Sequence, residues 1–276
     1  MTYQNYGGQN YGKNTRDPGR LVTLGKLLDP EALRAFLYPF ANRDVMFQHH
    51  DFTETTFNGD PWTKTVDAGP DFAIAANPGG TLRFTTQTDD NEGGSLITPA
   101  IFKGDLNAGA EIRMKGSSWA NIAAEFGFID DVTDKTTPAV TDIDTVTFGA
   151  GLAEGAVISM DTDQTLQTLA LCTDSATYTT QTKALLYNNA NPVAALVPTA
   201  DVYFTWRVQL HQDVVWAFVF NDKQEFVYST KLVPSGTTGG IQGGTAVRLW
   251  VAFANKVGSA SRTYDIDYIG FWQDRF

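Results

Sequence analysis

Asp201-Val202-Tyr203-Phe204-Thr205-Trp206-Arg207-Val208-Gln209-Leu210 is the stretch whose pattern decides the fold. Val202, Phe204, Trp206, Val208 and Leu210 alternate without a break against Tyr203, Thr205, Arg207 and Gln209. That period of two belongs to a β-strand with one buried face. Just beyond it, Val214-Val215-Trp216-Ala217-Phe218-Val219-Phe220 is apolar at every position, as in a strand covered on both faces. Asn221-Asp222-Lys223 then turns the chain into 224–228, which makes a meander. The pattern predicts that Phe204, Trp206, Val208 and Phe218 are buried.

Working outward, further short strands are expected over 45–52, 72–75, 81–85, 95–102, 110–115, 121–129, 146–148, 156–160, 166–172, 176–180, 247–254 and 264–272. In 110–115 the alternation points Ile112 and Met114 inward. Residues 130–144 and 183–199 read as loops. Many short strands at regular spacing, with no linker, predict an all-β fold: a single jelly-roll β-sandwich over 45–276.

The N-terminus differs. Residues 1–20 are polar and Gly-rich, with a near-repeat of Gln4-Asn5-Tyr6-Gly7 in Gln9-Asn10-Tyr11-Gly12. Residues 1–28 are expected to be an extended arm that orders on a neighbouring subunit, with Tyr3, Tyr6 and Tyr11 as anchors. A short helix and connector follow over 29–44, with Asp29 as cap, Pro30 in the first turn and Leu33, Phe36, Leu37 and Phe40 on one face. These seven aromatic and aliphatic residues are the expected partner-binding set.

The 276 residues carry a net charge of −11, which opposes a nucleic-acid surface. The single Cys172 excludes an intrachain disulfide and cysteine-based zinc sites. No apolar run approaches the length of a membrane span, and no signal peptide is expected. That favours a protein made and kept in the cytoplasm, or one that leaves the cell by another route, such as assembly into a virus particle.

The order of several motifs resembles the concanavalin-like jelly roll of laminin-G domains, legume lectins and glucanases. The motifs are Glu111-Ile112-Arg113-Met114-Lys115, Glu125-Phe126-Gly127-Phe128, Trp206-Arg207-Val208, the run from Trp216 to Asp222, and Asp265-Ile266-Asp267-Tyr268-Ile269. A jelly roll behind an arm and helix is also similar to structural proteins of tailed bacteriophage virions. This resemblance implies a non-enzymatic virion protein, made in the host cytoplasm: a capsid decoration protein attached through its arm. Its expected partners are the major capsid protein or other virion subunits, and further copies of itself. A tail or fibre component and a carbohydrate-binding, lectin-like module are the alternatives, the last with a glycan as ligand.

Glucanases of this fold resemble one another in a Glu-x-Asp-x-Glu triplet, which is absent here. Asp142/Asp144, Asp161/Asp163 and Asp265/Asp267 have the spacing but lack the third acid, so no catalytic residue is expected. His49 and His50 point to opposite faces of a strand, which excludes a shared metal. A structural calcium is the one ion the sequence offers oxygens for, in Asp89, Asp90 and Glu92 or in Asp130, Asp131 and Asp134. No organic cofactor is expected, because Gly239-Gly240 and Gly243-Gly244 are not followed by a phosphate-binding helix. Trp62, Trp119 and Trp250 are candidate sugar platforms, whereas Trp206 and Trp216 read as core or sheet-covering residues.

Overall fold

A computed structural model describes residues 45–276, apart from positions 55, 58, 60, 76–79, 144–146, 163–165, 174–175, 178–183, 186, 189–190, 196–197, 212–213, 233–240, 242–243, 257–259 and 275–276. The expected arm and helix lie outside the described residues. From Asp44 to Phe276 the chain forms one compact unit.

Two large antiparallel sheets and two small two-stranded ones make that unit. The eight-stranded sheet runs Phe226–Leu232, Val214–Phe220, Phe204–His211, Gly109–Gly116, Thr263–Asp274, Thr81–Thr85 and Asp71–Ala75, with Val45–His50 also paired to Thr263–Asp274. The nine-stranded sheet runs Ala176–Thr177, Leu166–Thr173, Gly155–Asp161, Ile122–Ile129, Ala246–Asn255, Gly93–Ile97 and Thr63–Val66. Ala184–Leu185 and Phe102–Lys103 attach at its sides. Hairpins at the sheet edges flank central neighbours that are distant in sequence, such as Gly109–Gly116 between Phe204–His211 and Thr263–Asp274, as in a jelly roll. The only helix among the described residues is the 3-10 turn Gly104–Leu106.

Alternation places the core. Ile112, Met114, Trp206, Val208, Ile266 and Ile269 face inward from one sheet, and Phe126, Phe128, Ile158, Leu249, Val251 and Phe253 from the other. Phe253 stacks between Phe84 and Tyr264, with ring centroids 5.3 and 5.2 Å away. Gly127 permits the close approach of two strands. A Cβ there would lie 2.2 Å from the Ala156 carbonyl oxygen.

Four expectations need correction. Val202 is 39% exposed and lies outside the strand, which starts at Phe204. Asp201 takes a left-handed φ of 58° and the Val202 N–H bonds back to the Thr199 carbonyl, so the chain is still turning there. The strand also has two buried faces, since Thr205, Arg207 and Gln209 are sealed as well. The stretch 130–144 is not a free loop: it contains the strand Val140–Asp142, which pairs with Thr147–Phe148. Val132, Ala139, Val140, Ile143 and Leu152 lie over the outer face of the nine-stranded sheet and form a second core with Ile129, Val157 and Trp250. Within 183–199, Tyr187–Asn188 pairs with Asn191–Ala195, and Ala184–Leu185 with Leu166–Thr173, so this stretch too is strand in part.

Candidate functional site on the outer face of the eight-stranded sheet

Pairing fixes which outward side chains share a row. One row is Trp216, Gln209, Gly109, Trp272 and Phe47. The next is Phe218, Arg207, Glu111, Gly270 and His49. The third is Phe220, Thr205, Arg113 and Tyr268, and the fourth Lys115, Asp265, Arg83 and Ala73. A register shift between Ile266 and Tyr268 puts Asp267 in a bulge beside this face.

Each acid in these rows meets a base. Arg207 donates from Nε and Nη2 to Glu111 Oε2 at 2.9 and 2.6 Å, and the Tyr268 hydroxyl donates to Glu111 Oε1 at 3.1 Å. Arg83 binds both oxygens of Asp265, at 2.6 and 2.9 Å, with Lys115 at 3.9 Å. That hydrogen bond to Asp265 raises the Arg83 pKa. Arg113 pairs with Asp267. The Arg207 guanidinium lies 5.1 Å from the Phe220 ring centre and 5.5 Å from that of Trp272.

Tyr203 lies just before the Phe204–His211 strand at the Lys115 end of the face and is half-buried, with Arg113 4.4 Å and Lys115 5.0 Å from its ring centre. Burial, then Asp267 and Asp265, push its phenol pKa up, so it stays a neutral donor. The exposed His49 ring packs on Tyr268 at 4.8 Å. His50 points the other way, accepting from Trp62 Nε1 at 3.0 Å and stacking on Phe52. The two histidines therefore take opposite faces, as alternation requires. A cleft of about 320 Å³ beside the strand is lined by Gln48, His49, His50, Pro61 and Phe271.

The three tryptophans expected as sugar platforms are all buried. Trp62 is spent on His50 and Phe271, Trp119 packs on Phe204 and Tyr264, and Trp250 lies under the 130–152 segment. Their indoles supply core area, leaving no face for a ligand. Tyr3, Tyr6, Tyr11, Leu33, Phe36, Leu37 and Phe40 lie outside the described residues.

Asp130 accepts from the N–H groups of Asp131 and Ala153, Asp134 from Thr136 and Thr137, and Asp131 pairs with Lys135. Among the described residues no group of three potential metal ligands converges. Asp161 pairs with Lys256 at 3.4 Å.

One acid was not singled out by sequence. Glu125 is fully buried and accepts from the N–H groups of Ala139 (2.6 Å) and Val140 (2.7 Å), Trp250 Nε1 (2.9 Å) and Ser159 Oγ (3.1 Å). Burial raises its pKa to about 7, against the pull of those donors. Its signal was a lone carboxylate inside the apolar run 122–129. With every lone pair engaged, it pins the covering segment and offers no free oxygen to a substrate.

No family model matches the sequence, and no curated protein matches it. Solved structures do. A winged bean acidic lectin complexed with methyl-α-D-galactose aligns with TM-score 0.56 at 9% identity, over 83% of this chain and 98% of the lectin. The catalytic domain of an endo-1,3-β-glucanase (laminarinase) from Thermotoga petrophila RKU-1 aligns with TM-score 0.54 at 12% identity, over 84% and 99%. A protein of unknown function from Shewanella oneidensis MR-1 aligns with TM-score 0.55 at 12% identity, over 90% and 95%. Lectin and glucanase alike align over nearly their whole length with this two-sheet sandwich, and the chain has the concanavalin-like jelly-roll fold.

Proposed function

We propose that this chain is a non-catalytic binding protein whose sandwich recognises a neutral carbohydrate on the open half of the eight-stranded sheet. The observation that carries the reading is the fixed group of Tyr203, Arg113, Asp267, Tyr268 and His49: aromatic rings beside a paired guanidinium and carboxylate. Rings give apolar CH surface a flat partner, and a held Arg–Asp pair gives sugar hydroxyls both donors and acceptors. The net charge of −11 disfavours an anionic ligand. Among the described residues of this face, Glu111, Asp265 and Asp267 are all ion-paired, which disfavours their use as acid or nucleophile. The lectin likeness supports the same class. The test is a glycan array with full-length protein, followed by titration of Tyr203→Ala and Asp267→Ala. Binding weakened at least about tenfold by either change supports the reading; an array without a hit sinks it.

A second reading is a virion subunit, a capsid decoration protein or a tail or fibre part, attached through residues 1–28. It is favoured by the Tyr/Gly/Asn near-repeat and by both described sheets lying after residue 44. A mass-spectrometric inventory of purified particles tests it, with a copy number matching a lattice as the supporting result and absence as the refuting one. The two readings are compatible if the sandwich is displayed on the particle.

A further inference from the structure

Residues 130–143 and 147–154 are two arms that leave the nine-stranded sheet between Ile122–Ile129 and Gly155–Asp161 and fold back over its outer face. The arms bond to each other. The Asp130 N–H donates to the Glu154 carbonyl at 2.8 Å, Thr133 to Ala150 at 2.8 Å and Gly149 to Ala139 at 2.7 Å. Val140–Asp142 and Thr147–Phe148 form a two-stranded sheet of their own. Arms satisfied in this way keep their hydrogen bonds when they swing as a body. Their base has the parts of a hinge: the Asp130–Glu154 closure, and Gly151 with a φ of 92°.

Beyond that base the arms are fastened to the sheet. Ser95 Oγ donates to the Lys135 carbonyl at 2.5 Å, and Glu125 accepts from the Ala139 and Val140 N–H groups. The other two donors to Glu125, Trp250 and Ser159, sit on strands paired on both sides. When the carboxyl group needs water, the arms are therefore the side that can yield.

We propose that these arms are a pH-released flap, closed while Glu125 carries a proton and opening more often as Glu125 ionises. Apolar contacts of Val132, Ala139, Val140, Ile143 and Leu152 keep the closed state in the majority. Opening bares Trp250, Glu125, Ser95 and Ser159, an indole beside a carboxyl and two hydroxyls that the closed flap shuts from any ligand. Burial holds the proton on Glu125 up to about pH 7, and opening returns the group to water and its ordinary 4.5. Burial and the four hydrogen bonds account for that shift. The charged groups on the surrounding elements have other partners: Asp161 pairs with Lys256, Asp131 with Lys135 and Arg248, and Asp130 and Asp134 accept local N–H groups. Asp142 lies half-buried in the flap's own sheet. Cys172, with Glu154 and Asp130 near it, is pushed up to about 12 by burial and stays neutral.

The test is hydrogen exchange of the full-length chain, read by mass spectrometry and corrected for the intrinsic rate at each pH. Peptides carrying Ala139 and Val140 should exchange faster than Phe204–His211 at every pH, the mark of an opening short of unfolding. Their opening constant should rise about fiftyfold between pH 5 and pH 8, as a carboxyl group moving from about 7 to 4.5 requires. Glu125→Gln, which cannot ionise, should abolish the rise. If that variant fails to fold, Cys172 decides in the wild type, being the chain's one cysteine and buried in the same cluster. Its labelling by a neutral disulfide reagent, normalised to the denatured chain at each pH, should follow the same curve. Exchange of the arms only in step with Phe204–His211 overturns the proposal. So does protection that stays flat or grows with pH, or a rise that survives in Glu125→Gln.

Discussion

The indole of Trp250 donates to the Glu125 carboxylate at 2.9 Å, and neither residue touches solvent. Trp250 comes from Ala246–Asn255 and Glu125 from the neighbouring Ile122–Ile129 strand. The same carboxylate accepts from Ser159 Oγ and from the N–H groups of Ala139 and Val140, so a polar knot fastens the covering segment to the sheet.

That knot has a pH signature. The pKa of Glu125 is raised from an ordinary 4.5 to about 7 by burial, so the folded chain holds the proton more tightly than the unfolded one. Its contribution to stability is full below about pH 4.5 and is lost as pH rises through about 7, on the order of 3 kcal/mol over the window. In the charged form Ser159 Oγ donates to Oε1; once Glu125 is protonated, Ser159 is the one partner able to turn about and accept from it. Urea unfolding at several pH values should show this decline, and Glu125→Gln should flatten it. An unchanged slope in the variant would remove Glu125 from the account.

Trp206 is fully buried on the inner face, against Phe204 at 5.4 Å. Trp206→Ala should cost about 3–5 kcal/mol, the usual range for an aromatic truncated in a core. A denaturation midpoint within error of the wild type would show that the strand face is wrongly assigned.

Gly127 tests strand spacing. In Gly127→Ala the new Cβ meets backbone on both counts, the Ala156 oxygen at 2.2 Å and the Val157 Cα at 2.7 Å. Backbone cannot swing aside as a side chain can, so the loss should reach about 3 kcal/mol or more. A melting temperature equal to the wild type would count against the pairing of Ile122–Ile129 with Gly155–Asp161.

The carboxylates give a prediction about chemistry. Purified protein should release no reducing sugar from β-1,3- or β-1,4-glucans, because Glu111, Asp265 and Asp267 are ion-paired and Glu125 is sealed. Hydrolysis abolished by changing any one of these acids would overturn the non-catalytic reading.

Removal of residues 1–28 should leave the melt of the sandwich unchanged, since both described sheets draw their strands from residue 45 onward. The same deletion should abolish attachment to a parent particle if the arm carries it. Calorimetry and binding to bare particles separate the two outcomes.

The sequence by itself determined the class of fold, because a period of two is imposed by the backbone. The alternation through Phe204, Trp206 and Val208 and that through Ile112 and Met114 each name a buried face without knowledge of any partner strand. It also determined that His49 and His50 diverge. Tertiary structure alone decided the rest. Arg207 reads as an exposed residue of an amphipathic strand, yet it is buried because Glu111, far away in sequence, faces it across the sheet. Asp130, Asp131 and Asp134 are clustered oxygens in the linear chain, and only the folded segment shows that they meet local N–H and hydroxyl groups and a lysine. Trp250 and Trp62 look identical to sugar platforms in a linear chain, since an indole's burial depends on what crosses above it. Which acid is buried and which ring is open are properties of long-range neighbours, and local periodicity carries no term for them.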